Sequence, residues 1–194
     1  MITPFNQDGS VNYEAAVELA KKYADEGSGI LLGATTGEGA VMTEEEKLKL
    51  FKVVADELKG KTLIMGNVGT NNTAESIAIA KKAEATGVDL LLCIVPYYNK
   101  PNQEGCYAHF AVIAKSTDMP IFIYNVPGRT GGKIEPQTVC QLAHDFPNIS
   151  GLKDASGDLD YAGYVAANAP EGFHLYSGDD NLTLPIVAVG GEGV

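Results

Sequence analysis

The chain has 194 residues, of which 45% are hydrophobic and 20% charged, with a formal net charge of -11 at pH 7. That length supports one domain with a sizeable core and is short for two. The acidic balance excludes a phosphate-backbone binder, which needs a basic stripe, and suits an anionic membrane surface poorly. No nucleic acid and no membrane partner is expected. An anionic substrate must therefore be received by donors placed locally in a pocket, which points to a small ligand.

In chain order, Thr3-Pro4-Phe5 reads as the trailing tip of a strand whose body is absent. A helical pattern follows over 14–26, then an apolar strand over 30–32. The next helix, over 43–58, opens on the capping box Thr43-Glu44-Glu45-Glu46. Strands over 62–65, 90–95, 120–124, 149–153 and 173–176 then alternate with helices over 73–86, 103–116, 135–144 and 158–168. Ala188-Val189-Gly190-Gly191-Glu192-Gly193-Val194 reads as the approach to a further strand. The strands are apolar at nearly every position, as expected when both faces are buried. A spacing of about thirty residues between strands fits successive right-handed βαβ crossovers.

Two architectures satisfy this pattern, an open doubly wound sheet and a closed barrel. The dinucleotide fingerprint and the P-loop are both missing from the strand tips, which removes the main support for the open sheet. The expected fold is a (β/α)8 TIM barrel, with residues 1–194 forming a single partial domain. A whole barrel typically needs about 250 residues, so most of the first strand, the last strand and the C-terminal helices are expected to be missing.

Cys93, Cys106 and Cys140 are too few and too scattered for a disulfide framework. His109, His144 and His174 show no metal-ligand spacing, so no metal is expected. No charged-then-apolar leader opens the chain, and its longest apolar run, 90–95, is far too short to span a bilayer. A cytoplasmic location is expected.

In a (β/α)8 barrel the loops leaving the strand C-termini share one face and carry the active site. The tips in question are Gly33-Ala34-Thr35-Thr36-Gly37-Glu38, Gly66-Asn67-Val68-Gly69-Thr70-Asn71, Pro96-Tyr97-Tyr98-Asn99, Tyr124-Asn125-Val126-Pro127-Gly128-Arg129-Thr130-Gly131, Lys153-Asp154-Ala155-Ser156 and Ser177-Gly178-Asp179-Asp180. Lys153 is the most informative. A free lysine, with a pKa of about 10.4, is unprotonated roughly once in 2,500 molecules at pH 7. Burial at an apolar barrel mouth disfavours the ammonium and releases the amine for attack on a ketone. Taken alone, Lys153 is better read as pairing with Asp154 or reaching solvent; its neighbours change that reading.

Those neighbours are Thr35, Thr36, Tyr98, Tyr124 and Arg129. Schiff-base chemistry moves protons repeatedly, and hydroxyl groups can relay them because each both donates and accepts. The Thr35-Thr36-Gly37 turn can offer backbone N–H groups to a carboxylate, and the planar fork of Arg129 suits a second one. The plainer alternatives are barrel-capping or interface aromatics for Tyr98 and Tyr124, and turn residues bonding their own backbone for Thr35 and Thr36.

Gly33-Ala34-Thr35-Thr36-Gly37-Glu38, Pro96-Tyr97-Tyr98-Asn99-Lys100-Pro101, Tyr124-Asn125-Val126-Pro127-Gly128-Arg129-Thr130 and Gly151-Leu152-Lys153-Asp154 together resemble the dihydrodipicolinate synthase family, within the pyruvate-dependent class I aldolase and N-acetylneuraminate lyase superfamily. The resemblance runs through essentially the whole chain, in order. It implies a lyase that condenses pyruvate with L-aspartate 4-semialdehyde to 4-hydroxy-tetrahydrodipicolinate, toward diaminopimelate and lysine, with no cofactor. It further implies that Lys153 carries the pyruvate imine. Tyr124 would be the central acid/base, relayed through Thr35 to a Tyr98 that crosses from a neighbouring subunit. Thr35 and Thr36 would hold the pyruvate carboxylate, Arg129 that of the aldehyde, and Gly178 would line the pocket. A homo-oligomer, dimer or tetramer, is implied for the full-length form. Asn71, Glu75 and Tyr97 match the family's allosteric lysine site. Glu44 and Lys47 depart from the aromatic or histidine side chains of lysine-sensitive members, which implies weak or no inhibition.

Two alternatives stand beside this. A sister aldolase acting on N-acetylneuraminate or a 2-keto-3-deoxy sugar acid would share the lysine, the tyrosine and the Thr-Gly-Glu turn. The Gly128-Arg129-Thr130 loop favours a short acidic aldehyde over a sugar chain. A non-catalytic barrel fragment kept for binding or assembly is the alternative of a different class, and the presence of both Lys153 and Tyr124 argues against it.

Overall fold

The computed structural model describes residues 1–194, which divide into two compact units: Met1–Val68 with Ala78–Leu92, and Gly69–Ile77 with Cys93–Val194. At least one helix stands between every two successive strands, an α/β architecture.

The first unit holds α1 (Tyr13–Asp25), β1 (Ile30–Leu32), α2 (Glu44–Leu58), β2 (Ile64–Asn67), the later part of α3 (Thr73–Glu84) and the start of β3 (Leu90–Ile94). β1 pairs with β2, and β2 with β3, all parallel. Both long helices begin where a side chain satisfies orphan N–H groups. Asn12 accepts from Ala15 N at 3.0 Å, and Thr43 and Glu46 close the expected capping box. Ala16, Ala20, Leu50, Phe51, Val54 and Leu58 are buried beneath the strands Ile30, Leu32 and Ile64 belong to. Gly66 is required here by close approach, because an added Cβ would lie 2.8 Å from Phe51 Cε2. The strand expected over 62–65 lies two residues later. Thr62 leaves the ladder to donate to Ser28 O at 2.7 Å, while Gly66 and Asn67 pair with Leu91 and Leu92. The N-terminal residues run beside β1, Met1 N donating to Leu31 O at 2.7 Å, and Phe5 makes an isolated antiparallel bridge with Val11.

In the second unit the end of β3 is followed by β4 (Ile121–Asn125), β5 (Ile149–Asp154) and β6 (His174–Ser177), neighbours in chain order. β4–β5 and β5–β6 pair in parallel. The helices are α4 (Gln103–Ala114), α5 (Pro127–Thr130), α6 (Pro136–Asp145), α7 (Leu159–Asn168) and α8 (Thr183–Ala188). Gln103 ties the starts of α4 and α6 together: its Nε2 donates to Lys133 O at 2.9 Å and its Oε1 accepts from Glu135 N at 2.8 Å. Two helices were not legible in the periodicity because each is too short to show a 3.6-residue repeat. α5 is one turn, started by Pro127 and closed by Gly131 in the left-handed region at φ 71°. α8 ends at Ala188, inside the stretch read as the approach to a strand, of which only Gly193 pairs, bridging Tyr176 in parallel.

One irregularity decides which side chains share a face. Ile121 pairs with Ile149, but Phe122 pairs with Gly151, so Ser150 has no partner on β4 and forms a bulge. Beyond it the register runs Tyr124↔Lys153 and Asn125↔Asp154. Side chains alternate along strands, so without the extra residue Tyr124 would sit opposite Leu152, with Lys153 on the other face. No helix of the chain is long and apolar enough to cross a membrane.

Candidate active site

Within the second unit the tips of β4, β5 and β6 gather Tyr124, Lys153 and Gly178. Tyr124 is 5% exposed, and Lys153 Nζ lies over its ring, 4.9 Å from the centroid. Behind Lys153 on the same face, Gly151 faces Phe122, whose ring stands 6.2 Å from His174 and 6.1 Å from Tyr176. The amine is thus set at the open end of a layered, largely aromatic floor. A cation above a tyrosine face gains quadrupole attraction, yet loss of hydration dominates: burial lowers the Lys153 pKa, and the Asp180 carboxylate opposes that in part. Such an amine is more available as a nucleophile near neutrality than a solvated lysine.

Gly178 is part of how the lysine is seated. A Cβ there would come within 2.9 Å of Ala155 Cβ and 3.3 Å of Lys153 Cε. Asp180 opens a 3-10 turn, Asp180–Leu182, capped by Asp179, whose side chain accepts from Asn181 N at 3.1 Å. Since Asp180 favours the ammonium, Asp180→Asn is expected to lower the Lys153 pKa further. The acid limb of any Lys153 amine reaction, followed by acetylation and peptide mapping across pH, should then move to lower pH. An unmoved or raised limb would contradict this account of the charge.

Arg129 lies exposed on α5, whose N–H groups bond back to Val126 and Pro127. Tyr98 is 88% exposed and strained at φ 69°, its N–H held by Thr130 O at 3.1 Å. Left-handed backbone at a tyrosine is uncommon and persists only where the surroundings impose it. Tyr97 and Asn71 are brought together, Asn71 Nδ2 donating to Tyr97 O and to Asn99 Oδ1, both at 3.2 Å. Glu75 stands one step away, accepting from Thr70 Oγ1 at 3.4 Å. Thr35 and Thr36 belong to the first unit. They are exposed on a turn in which Thr35 O accepts from Glu38 N at 3.0 Å, with Gly33 at φ 65° and Glu38 at φ 55°.

The three histidines go separate ways. His109 Nδ1 meets Thr73 Oγ1 at 2.8 Å and its ring is buried, which pushes its pKa down to about 4. His144 meets Asn168 O, and His174 meets the carboxylate of Glu192 at 2.9 Å. Sequence reasoning missed Asp180 as the charge acting on Lys153, and Asn125 and Asp154 as a bonded pair, Nδ2 to Oδ1 at 2.9 Å. The motif strings contain all three, and only the strand register reveals their partners.

The model of the dihydrodipicolinate synthetase family matches residues 1–194. A 4-hydroxy-tetrahydrodipicolinate synthase of Bacillus velezensis is 47% identical over all of this chain and 67% of its own length. One of Thermosynechococcus vestitus is 49% identical over all of this chain and 66% of its own. Among solved structures, a dihydrodipicolinate synthase of Cyanidioschyzon merolae with lysine bound superposes with a TM-score of 0.98 at 43% identity, over all of this chain and 66% of its own. The chain therefore spans about two thirds of the length of these relatives.

Proposed function

The chain belongs to the dihydrodipicolinate synthetase family, and from that premise we propose that it carries the Schiff-base machinery of a 4-hydroxy-tetrahydrodipicolinate synthase, a lyase joining pyruvate to L-aspartate 4-semialdehyde in lysine and diaminopimelate biosynthesis. The six strand-and-helix repeats are read as successive parts of a (β/α)8 barrel, supported by the helix between every two successive strands and by the likeness to solved members. The observation that carries the functional reading is the desolvated amine of Lys153 held 4.9 Å from the Tyr124 ring.

On this reading the neutral amine attacks the ketone carbon of pyruvate. The carbinolamine oxygen is protonated and leaves as water, giving the imine. Loss of a methyl proton turns the imine into an enamine, whose carbon attacks the aldehyde; the resulting alkoxide takes a proton, and the amino group brought by the aldehyde attacks the regenerated imine, closing the ring and expelling the Lys153 amine. Tyr124, whose ring lies beneath the Lys153 amine, carries a hydroxyl able to serve these transfers. Arg129, exposed on its one-turn helix, serves the aldehyde's carboxylate through its planar fork. In the first unit, Thr35 and Thr36 offer hydroxyl and backbone donors suited to the carboxylate of pyruvate. The exposure and strained backbone of Tyr98 support a role toward a neighbouring subunit in a homo-oligomer. Asn71, Glu75 and Tyr97 are read as lysine-binding positions, supported by the bond between Asn71 and Tyr97. A cytoplasmic location suits this biosynthetic role.

Incubation with pyruvate and borohydride, followed by peptide mapping, should place a reduced pyruvyl adduct on Lys153. A panel of aldehydes at saturating pyruvate then tests the second substrate. Turnover with L-aspartate 4-semialdehyde is expected, and turnover with sugar-derived aldehydes alone would overturn the assignment.

A further inference from the structure

From the pairing of β4 with β5, we infer that Asn125 and Asp154 are a positioning pair that locks the register in which Lys153 stands over Tyr124, an inference that rests on the Schiff-base reading above. The two pairs are consecutive residues of the same two strand ends, Tyr124↔Lys153 and then Asn125↔Asp154. Alternation sends them to opposite faces. Lys153 stands over Tyr124 on one; on the other, Asn125 Nδ2 donates to Asp154 Oδ1 at 2.9 Å, and the charge of Asp154 reaches Tyr161 of α7.

A lock is needed because this register is not the one the strands begin with. The bulge at Ser150 changes the pairing by one residue between Ile121 and Phe122. A one-residue slip exchanges the faces of every side chain beyond it and would carry Lys153 away from the Tyr124 ring. Within the ladder, backbone hydrogen bonds distinguish the two registers only weakly, since each register offers the same kinds of N–H and C=O groups. Side chains can do so, and at the strand tips Asn125 and Asp154 form a complementary polar pair that exists in this register.

Their surroundings fit such a role. Asn125 is 0% exposed and Asp154 1%. Asn125 Oδ1 is buried without a partner, so the bond to Asp154 is what its side chain contributes. A half-satisfied buried carboxamide is a liability unless it specifies something. Asp154 is fixed from its other side by Ser156, whose Oγ donates to Oδ2 at 2.7 Å and whose N–H donates to Oδ1 at 3.3 Å. Backbone bonds extend the clamp past the ladder: Ala155 N donates to Asn125 O at 2.8 Å, and Gly178 N to Asp154 O at 2.6 Å. The second of these links β6, and with it Gly178 beside the Lys153 stem, to the same carboxyl-bearing residue.

The test is borohydride trapping of pyruvate on the purified protein, following initial rate against pyruvate concentration and pH. Asn125→Ala and Asp154→Ala are expected to slow adduct formation by about tenfold or more at saturating pyruvate, since a displacement of about 1 Å can cost on the order of 100-fold. The acid limb should also rise in pH as Lys153 leaves its desolvated seat, a change that lost stability alone does not produce. The exchanged double variant, Asn125→Asp with Asp154→Asn, restores donor and acceptor at the same register and should recover the parental rate and pH profile. Single variants that melt cooperatively and label at the parental rate would overturn the inference. If the single variants do not fold, the exchanged pair decides: slow labelling by a folded exchanged variant is the overturning result. Failure of the parent to label with pyruvate sinks the functional reading instead. The register claim is then read from acetylation of Lys153 against pH in the same variants, which needs no substrate; identical profiles in parent and folded single variants would overturn it.

Discussion

The Lys153→Arg variant is expected to give no borohydride-trapped pyruvyl adduct and to lose turnover by at least about 1,000-fold, the scale of removing a covalent nucleophile. Arginine preserves the length and the charge, so it separates nucleophilicity from electrostatics. Its guanidinium stays protonated at any working pH, whereas burial lowers the pKa of the Lys153 ammonium and leaves a usable amine. Circular dichroism should show a retained fold, because Lys153 is only partly buried and the Asp180 carboxylate favours a positive charge at its tip. An adduct that persists, or that maps to another lysine in the parent, would remove Lys153 from the mechanism.

Gly151→Ala is expected to cost about 2–3 kcal/mol, the upper range for overpacking a filled core, and to lower the melting temperature by about 4–12 °C for a chain of this size. The reason is space and not backbone freedom. A Cβ at Gly151 would overlap Phe122 Cζ and lie 2.6 Å from Cε2, against a ring that also stacks on His174 and meets Tyr176 at a tilt. Phe122→Leu should relieve most of that cost, so the double-mutant cycle should show a coupling of about 1 kcal/mol or more, as expected of residues in direct contact. A fully additive cycle, or a neutral Gly151→Ala, would show that the floor beneath Lys153 is looser than these distances require. Because Phe122 and Tyr124 lie on one face of β4, Gly151→Ala should also slow imine trapping.

Much of the molecule is legible in its sequence. The alternation of apolar strands with amphipathic helices is a local property, and all six expected strands are present within two residues of their expected bounds. Thr43 and Glu46 announced the start of α2 because a capping box is contained within four residues. Lys153 at the end of an apolar strand, Tyr124 beside a Pro-Gly turn and the Thr35-Thr36-Gly37 turn were likewise legible as candidates, since strand tips are where side chains become available for chemistry. Short elements escaped: α5 and α8 depend on Pro127, Gly131 and neighbouring packing and carry no usable period.

By itself, then, the sequence determined the order of strands and helices, the residues at each strand tip and, through four motifs, the family. It did not determine that Lys153 and Tyr124 share a face. Alternation says only which residues within one strand go together; pairing between strands about thirty residues apart in sequence is a long-range property. Only the tertiary structure, with its bulge at Ser150 and its buried Asn125–Asp154 bond, brings the amine over the ring. Likewise the influence of Asp180 and the limit set by Gly178 arise from β6 lying beside β5, an adjacency settled by packing and backbone hydrogen bonding and not by local preference.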